Sequence, residues 1–175
     1  MKIGIVSDTH GNYEFLEQAA EWLVRKQRIS TLYHLGDDYD DVKVLQELPF
    51  DIVQVPGIYD ERYKNGSLPA TAVEMVLGYT IVLVHYSDKD LRKDDISRSD
   101  IILHGHTHHE ELKLDNGRLY MNPGHLKGPL DKNMPPSFGL LTIGDRNVSA
   151  AIYGLDFKLI RGMELMRSES GLYKI

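Results

Sequence analysis

Lys2-Ile3-Gly4-Ile5-Val6-Ser7-Asp8-Thr9-His10-Gly11-Asn12 reads as a buried strand that ends abruptly in polar chemistry. Lys2 to Val6 is a short β-rich run, Ser7-Asp8 ends it, and Gly11-Asn12 breaks the chain direction. Downstream, Phe15, Leu16, Ala19, Ala20, Leu23 and Val24 recur at helical spacing between Tyr13 and Arg28. Thr31 to Leu35 is again strand-like and stops at Gly36-Asp37. Asp41 to Leu48 reads as a short helix with Val42, Leu45 and Leu48 on one side. Asp51 to Val55 is a third strand, closed by Pro56-Gly57. The alternation of strand, helix, strand, helix, strand predicts an α/β fold whose parallel sheet is built from crossover units.

Beyond residue 70 the pattern turns to β. Thr71 to Leu77 and Tyr79 to His85 flank Gly78 as a hairpin. Asp88 to Ser99 is charged and fits a short helix, and Asp100 to His104 is strand-like. Glu111 to Leu114 and Arg118 to Met121 flank Asp115-Asn116-Gly117, a strong hairpin turn signal. Phe138 to Ile143 and Val148 to Tyr153 flank a further turn at Gly144-Asp145. From Asp156 to Ile175 the periodicity is mixed and assigns no element. There is no internal repeat and no linker, so residues 1–175 are expected to form a single domain.

The chain has 175 residues, 42% hydrophobic and 26% charged, which excludes a disordered or fibrous class. Its net charge of −6 gives no global basic field for a nucleic-acid backbone. With no cysteine, disulfides, thiolate metal sites and cysteine nucleophiles are all excluded. The first apolar run is too short for a signal-peptide core, and no stretch is long enough to span a membrane. The expectation is a cytoplasmic protein.

The chemistry lies in the histidines. All eight fall outside the predicted helices and none beyond residue 125, and they gather at or just past strand ends, where open α/β sheets bind ligands. Asp8 and His10 are two residues apart at the end of the first strand. Alternation in an extended chain aims them the same way, although an Asp before a helix can also serve as its cap. Gly36-Asp37 repeats the pattern at the second strand, and its carboxylate has two oxygens with which to bridge two cations. His85 follows Ile81-Val82-Leu83-Val84, and an imidazole there must be paired or coordinated. His104-Gly105-His106-Thr107-His108-His109 holds four histidines, with His106 and His108 on one side if extended. Asn122-Pro123-Gly124 closes another strand. His34 and His104 sit inside their strands and read as partners behind the ligands or as core groups. Arg62, Lys64, Lys127 and Lys132 lie in two flexible segments and read first as solvated charges.

The ordered set Asp8-x-His10, Gly36-Asp37, Gly57-x-x-Asp60, His85, Gly105-His106-Thr107-His108 and Asn122-Pro123-Gly124 resembles the calcineurin-like metallophosphoesterase superfamily, and most of all its small bacterial and archaeal phosphodiesterase branch. The resemblance runs from residue 3 to about residue 143. It implies a four-layer α/β/β/α sandwich of two mixed β-sheets flanked by helices. It also implies two divalent metal ions, manganese first, with nickel, iron, zinc or magnesium as alternatives. One ion would take Asp8, His10, His108 and the bridging Asp37; the other would share Asp37 and take His85 and His106. Asp37, His85 and His106 would thereby carry catalysis on a small phosphoester, with a metal-activated water as nucleophile.

The chain departs from the family pattern in two places. Where the family carries Gly-Asn-x-Asp, this sequence has Gly57-Ile58-Tyr59-Asp60, so Ile58 supplies no ligand and the second metal is expected to bind more weakly. Tyr59 stands where many relatives carry a His thought to protonate the leaving group. His125 replaces the usual Ser after Asn122-Pro123-Gly124. Asp60, His125 or water are candidates to fill the gap left by Ile58. The alternative implied by the same family is a degenerate site in a binding or scaffold protein, as in the retromer subunit of this fold. The apolar tail residues Leu159, Ile160, Met163, Leu165 and Met166 serve either a homodimer contact or the core.

Overall fold

The computed structural model describes residues 1–175. Twelve strands form two mixed sheets. In the first, β1 (Lys2–Val6), β2 (Thr31–His34) and β3 (Asp51–Gln54) run parallel. β9 (Ser137–Ile143) joins β1 antiparallel, and β10 (Asn147–Gly154), β11 (Leu159–Ser168) and β12 (Gly171–Lys174) extend the sheet outward. The second sheet has the order β4 (Thr71–Val76), β5 (Tyr79–Val84), β6 (Ile101–His104), β8 (Arg118–Asn122), β7 (Glu111–Asp115). Its central strands β5, β6 and β8 are parallel.

The sheets face each other across one apolar core. Ile3, Ile5, Tyr33 and Leu35 from the first meet Ile81, Leu83, Ile101, Leu103 and Met121 from the second. Each large aliphatic side chain buried there contributes roughly 1.5–3 kcal/mol of transfer free energy. The outer face of the first sheet (Val6, Leu32, Phe138, Leu140) packs on α1 (Tyr13–Trp22) through Leu16, Ala19 and Ala20. Asn12 starts this helix by accepting from the Phe15 amide at 3.2 Å. The sequence reading carried it to Arg28; instead the coil widens over Leu23–Gln27 and Arg28 ends it in a left-handed conformation. Two short helices, α3 (Ser87–Asp90) and α4 (Lys93–Arg98), lie on the outer face of the second sheet, completing the layers. A further one, α2 (Glu61–Lys64), follows β3.

Two local expectations need correction. The stretch predicted as a helix to Leu48 is a 3₁₀ turn over Asp41–Leu45. The unassigned tail is the hairpin β11–β12, in which Leu165 and Leu172 reach the central core. The first half of β11 is exposed on both faces, so it lacks the alternation that marks a half-buried strand. The predicted hairpins are present: Leu77-Gly78 and Asn116-Gly117 both have positive φ, as tight two-residue turns require.

Candidate metal centre

The carboxyl ends of β1, β2, β5 and β6 converge at one edge of the sandwich, and every predicted ligand lies there. Asp8, His10, Asp37 and His108 place one ligand atom each within 4.8 Å of one another. His10 Nε2 is 3.3 Å from Asp37 Oδ2 and 3.4 Å from His108 Nε2. Across Asp37, His85 Nε2 lies 3.3 Å from Oδ1, and the His106 ring is 5.2 Å from that of His85. Asp37 thus faces both groups, one with each oxygen.

The backbone pays for this convergence. Asp8, His10, Asp37, His106 and His108 all have φ between 48° and 70°. Left-handed conformation in residues with a Cβ costs on the order of 1–3 kcal/mol each and clusters at functional sites. Asp37 can come this close only because residue 57 is glycine: a Cβ there would stand 2.0 Å from Asp37 Oδ1 and 2.8 Å from its Cα. At Gly36, φ is +101° and a Cβ would meet the His85 ring at 2.6 Å.

Hydrogen bonds settle which imidazole nitrogens are free. His85 Nδ1 faces the Leu35 carbonyl at 2.8 Å, and a carbonyl only accepts, so Nδ1 carries the proton and Nε2 a lone pair. His108 Nδ1 faces Asp131 Oδ2 at 2.5 Å, leaving its Nε2 toward Asp8 Oδ1 at 3.1 Å. Asp8 Oδ2 accepts from Ser7 Oγ (2.6 Å) and the His106 amide (3.0 Å). Asp8 Oδ1 and His85 Nε2 are buried and have no hydrogen-bond partner. Their short contacts with His108 and Asp37 lack hydrogen-bond geometry, as expected of atoms aimed at a common point rather than at each other. Orphaned polar atoms of this kind are expensive, and a divalent cation among mixed imidazole and carboxylate donors would satisfy them. The residues present therefore fit a metal.

Burial tends to raise the Asp8 carboxyl, but contact with His108, His85 and Ser7 outweighs it and holds it below the usual range. Burial tends to lower His108, and its contacts with Asp8 and Asp131 reverse that, so its pKa is raised. His106 is pushed down by burial and by neighbouring His85.

The remaining candidates fall around this centre in distinct ways. Ile58 is half-buried beside the fully buried Gly57, and Tyr59 is 72% exposed at the mouth with His10, Asp38 and Asp60. Asp60 is engaged: Arg62 donates to it from Nε (2.9 Å) and NH2 (2.7 Å) as well as from its amide. His125 is neither solvated nor free, since Nε2 donates to the Met134 carbonyl and Nδ1 accepts from the Lys127 amide. His125 therefore has both ring nitrogens occupied, whereas Asp60, though held by Arg62, keeps acceptor capacity on Oδ2, which takes a single hydrogen bond. Asn122 is fully buried and clamps the histidine loop by donating to Gly105 O and Thr107 Oγ1 at 3.0 Å. His34 is buried against Thr9 Oγ1, His104 pairs with Glu111 at 3.2 Å, and His109 is exposed.

Sequence reasoning missed Asp131, which orients His108 and is itself held by Lys127 at 2.9 Å. The only signal was the four-residue spacing of Lys127 and Asp131 within an irregular segment. Among the loop cations Lys64, Lys127 and Lys132 are exposed, as solvated charges are, yet the group also makes specific bonds. Arg62 ties Asp60 to Asp40, and Lys132 donates to the His106 and Thr107 carbonyls at 3.4 and 3.2 Å.

Comparison with known proteins agrees with this architecture. A phosphoesterase from E. coli, Yfce, superposes with a TM-score of 0.69 at 20% identity, covering 93% of this chain and 98% of that one. An archaeal phosphodiesterase superposes at 0.68 and 21% identity, covering 94% and 100%. Vps29 from Entamoeba histolytica, solved in complex with Zn²⁺, gives 0.69 at 24% identity, covering 95% and 99%. At these identities the likeness establishes the fold. The model of the calcineurin-like phosphoesterase superfamily domain matches residues 1–146, and the chain belongs to that superfamily.

Proposed function

We propose that the protein is a metal-dependent phosphodiesterase with two cation positions, the second weaker than the first. The observation that carries this is the pair of buried, unpartnered ligand atoms, Asp8 Oδ1 and His85 Nε2, one on each side of Asp37. Asp8, His10, Asp37 and His108 would hold the first ion, and Asp37, His85 and His106 the second, with manganese the leading candidate. When bound, such ions lower the pKa of a water and neutralise charge gathering on a phosphoryl group. The protein's own share is positioning: Leu35 and Asp131 fix the tautomers of His85 and His108, and Ser7 and the His106 amide fix the carboxylate of Asp8. With Ile58 carrying no donor and both nitrogens of His125 engaged, the second position would have three protein ligands, with Asp60 or water left to complete it. Three can suffice for a catalytic ion. The related phosphodiesterase and phosphoesterase folds support the reaction class, and a small phosphoester is the substrate.

The test is hydrolysis of an aryl phosphodiester and the matching monoester after chelation and after return of Mn, Ni, Fe, Zn or Mg. Metal-restored turnover, faster on the diester and abolished in Asp37→Ala, is expected. Full turnover in Asp37→Ala would overturn the assignment.

A scaffold role is the second reading, favoured by Ile58 and by the exposed apolar Val73, Met75 and Leu77 on and beside β4. It predicts a partner surface indifferent to Asp8→Ala.

A further inference from the structure

Next to the metal centre, on the outer face of the second sheet, lies a cleft of about 500 Å³. That volume is within the range, roughly 300–1,000 Å³, of small-molecule sites. It exists because the crossover between β5 and β6, residues 85–100, contains only the short helices α3 and α4. Deeper on the same face Val82, Val84 and Ile102 are buried apolar residues, as a covered sheet requires. Toward the carboxyl ends the lining becomes polar and aromatic. His104, only 7% exposed, pairs with Glu111 there, and Tyr120 and Lys113 stand alongside. Leu91 and Ile96 form the opposite, apolar wall.

The cleft and the metal centre share a partition. Tyr86 lines the cleft and stacks on the His106 ring, with centroids 4.1 Å apart and planes 28° apart. Gly105 and Thr107, either side of His106, also line it. A phosphodiester held at His106 would thus have this space beside it, within reach of one of its substituents.

We infer that the cleft receives that substituent and selects a flat, uncharged heteroaromatic group of nucleoside size, a conclusion that rests on the phosphodiesterase reading. The ring of Tyr120 and the face of Tyr86 that His106 does not cover offer stacking surfaces, and Ile96 and Leu91 supply apolar lining. Asp88 and Glu111 are acceptors for N–H or O–H donors on the group's edge. Against these two carboxylates stands one lysine, Lys113, so the lining repels a substituent that bears further phosphates.

The experiment compares thymidine 5′-(p-nitrophenyl) phosphate with methyl p-nitrophenyl phosphate on the metal-loaded protein. It also titrates thymidine into the metal-stripped protein while backbone amide resonances are followed. Wild type is expected to show a lower KM for the thymidine diester, and thymidine to shift the amides of Gly105, Thr107 and Tyr120. Ile96→Trp, which fills the cleft, should raise KM for the thymidine diester about tenfold, a typical cost of misfit in a pocket, and leave that for the methyl diester unchanged. Glu111→Gln, which keeps a hydrogen-bonding group beside His104 and removes the charge, should weaken thymidine binding several-fold. Hydrolysis of both diesters with equal KM and no thymidine shifts would overturn the inference and leave the phosphodiesterase reading standing. Thymidine shifts with no hydrolysis of either diester would overturn the reading and leave a nucleoside site. Equal losses on both diesters in Ile96→Trp would show general damage to the site and overturn the selective role.

Discussion

His108 shows how a single side chain is prepared as a candidate ligand. Its Nδ1 is held by Asp131, Asp131 by Lys127, and the remaining lone pair on Nε2 is left facing Asp8 and His10. A carboxylate behind a ligating imidazole orients the ring and raises its basicity, and removing such a partner typically weakens metal binding about 10–100-fold. Asp131→Ala is therefore expected to lose affinity by that factor in a chelator competition, and Asp131→Asn, which keeps an acceptor, to fall between. Unchanged affinity in Asp131→Ala would mean that packing alone orients His108. His34 gives a second residue-scale prediction, on stability. Burial lowers its pKa to about 4, with Asp41 and Asp8 opposing only in part. Unfolded, it titrates near its ordinary value of about 6.5. Between those values the unfolded chain binds more protons, so the contribution of His34 falls as pH falls, by about 3 kcal/mol from pH 7 to 4. Urea unfolding of the metal-free protein should show wild type losing that much relative to His34→Gln; parallel pH profiles would refute it. The candidate ligands that the structure brings to one edge could be named from the sequence because Asp8-x-His10 and His106-x-His108 are local and imidazole-rich. Asp131 was not, because its partnership with His108 spans 23 residues and depends on how an irregular loop folds back.

Among the elements, what the sequence announces and what it hides follow burial. The strands β1, β2, β5 and β6 are buried along nearly their whole length and read as short β-rich runs, and their carboxyl ends carry the candidate ligands. The hairpin β11–β12 is almost silent by comparison, since only Leu165 and Leu172 of its residues are buried in the core and Met163 packs against it half-buried. It is nonetheless fixed at several points. Leu172 donates its amide to Gly117 O at 2.8 Å, and Arg167 donates to Gly78 O at 2.9 Å while lying over the Tyr79 ring. The hairpin thus staples the turns of the second sheet to the edge of the first. Leu165→Ala should cost about 2–5 kcal/mol of unfolding free energy, the range for truncating a buried leucine. Metal affinity of the folded variant should not change, because β9 and β10 separate β11 from β1 and its ligands. Joint loss of stability and affinity would show that the staple also sets the spacing of the two sheets at the site.

The whole molecule holds its metal centre against local preference. Two sets of parallel strands deliver imidazoles and carboxylates to one edge, five of the six candidate ligands sit in left-handed conformations, and two ligand atoms are buried without partners. Each of these opposes folding, and the shared apolar core between the sheets must outweigh them. A bound cation reverses the balance by satisfying the orphaned atoms, so the metal should act as a stabiliser as well as a cofactor. At a free metal concentration of about 100 times Kd, linkage contributes roughly 2.7 kcal/mol. For a chain of this size each kcal/mol moves the melting temperature by about 2–4 °C, so chelation should lower it by about 5–11 °C. Asp37→Asn supplies the decisive comparison. It keeps the shape of Asp37, tolerates the left-handed backbone well, and removes the charge that faces both His10 and His85. Scanning calorimetry should find that the variant has lost most of the metal-dependent increment, yet melts without metal at or above the temperature of metal-free wild type. A metal-free variant that melts well below wild type would mean that Asp37 braces the fold through His10 and His85. In that case the strain at this edge would be compensated within the chain itself rather than by the ion.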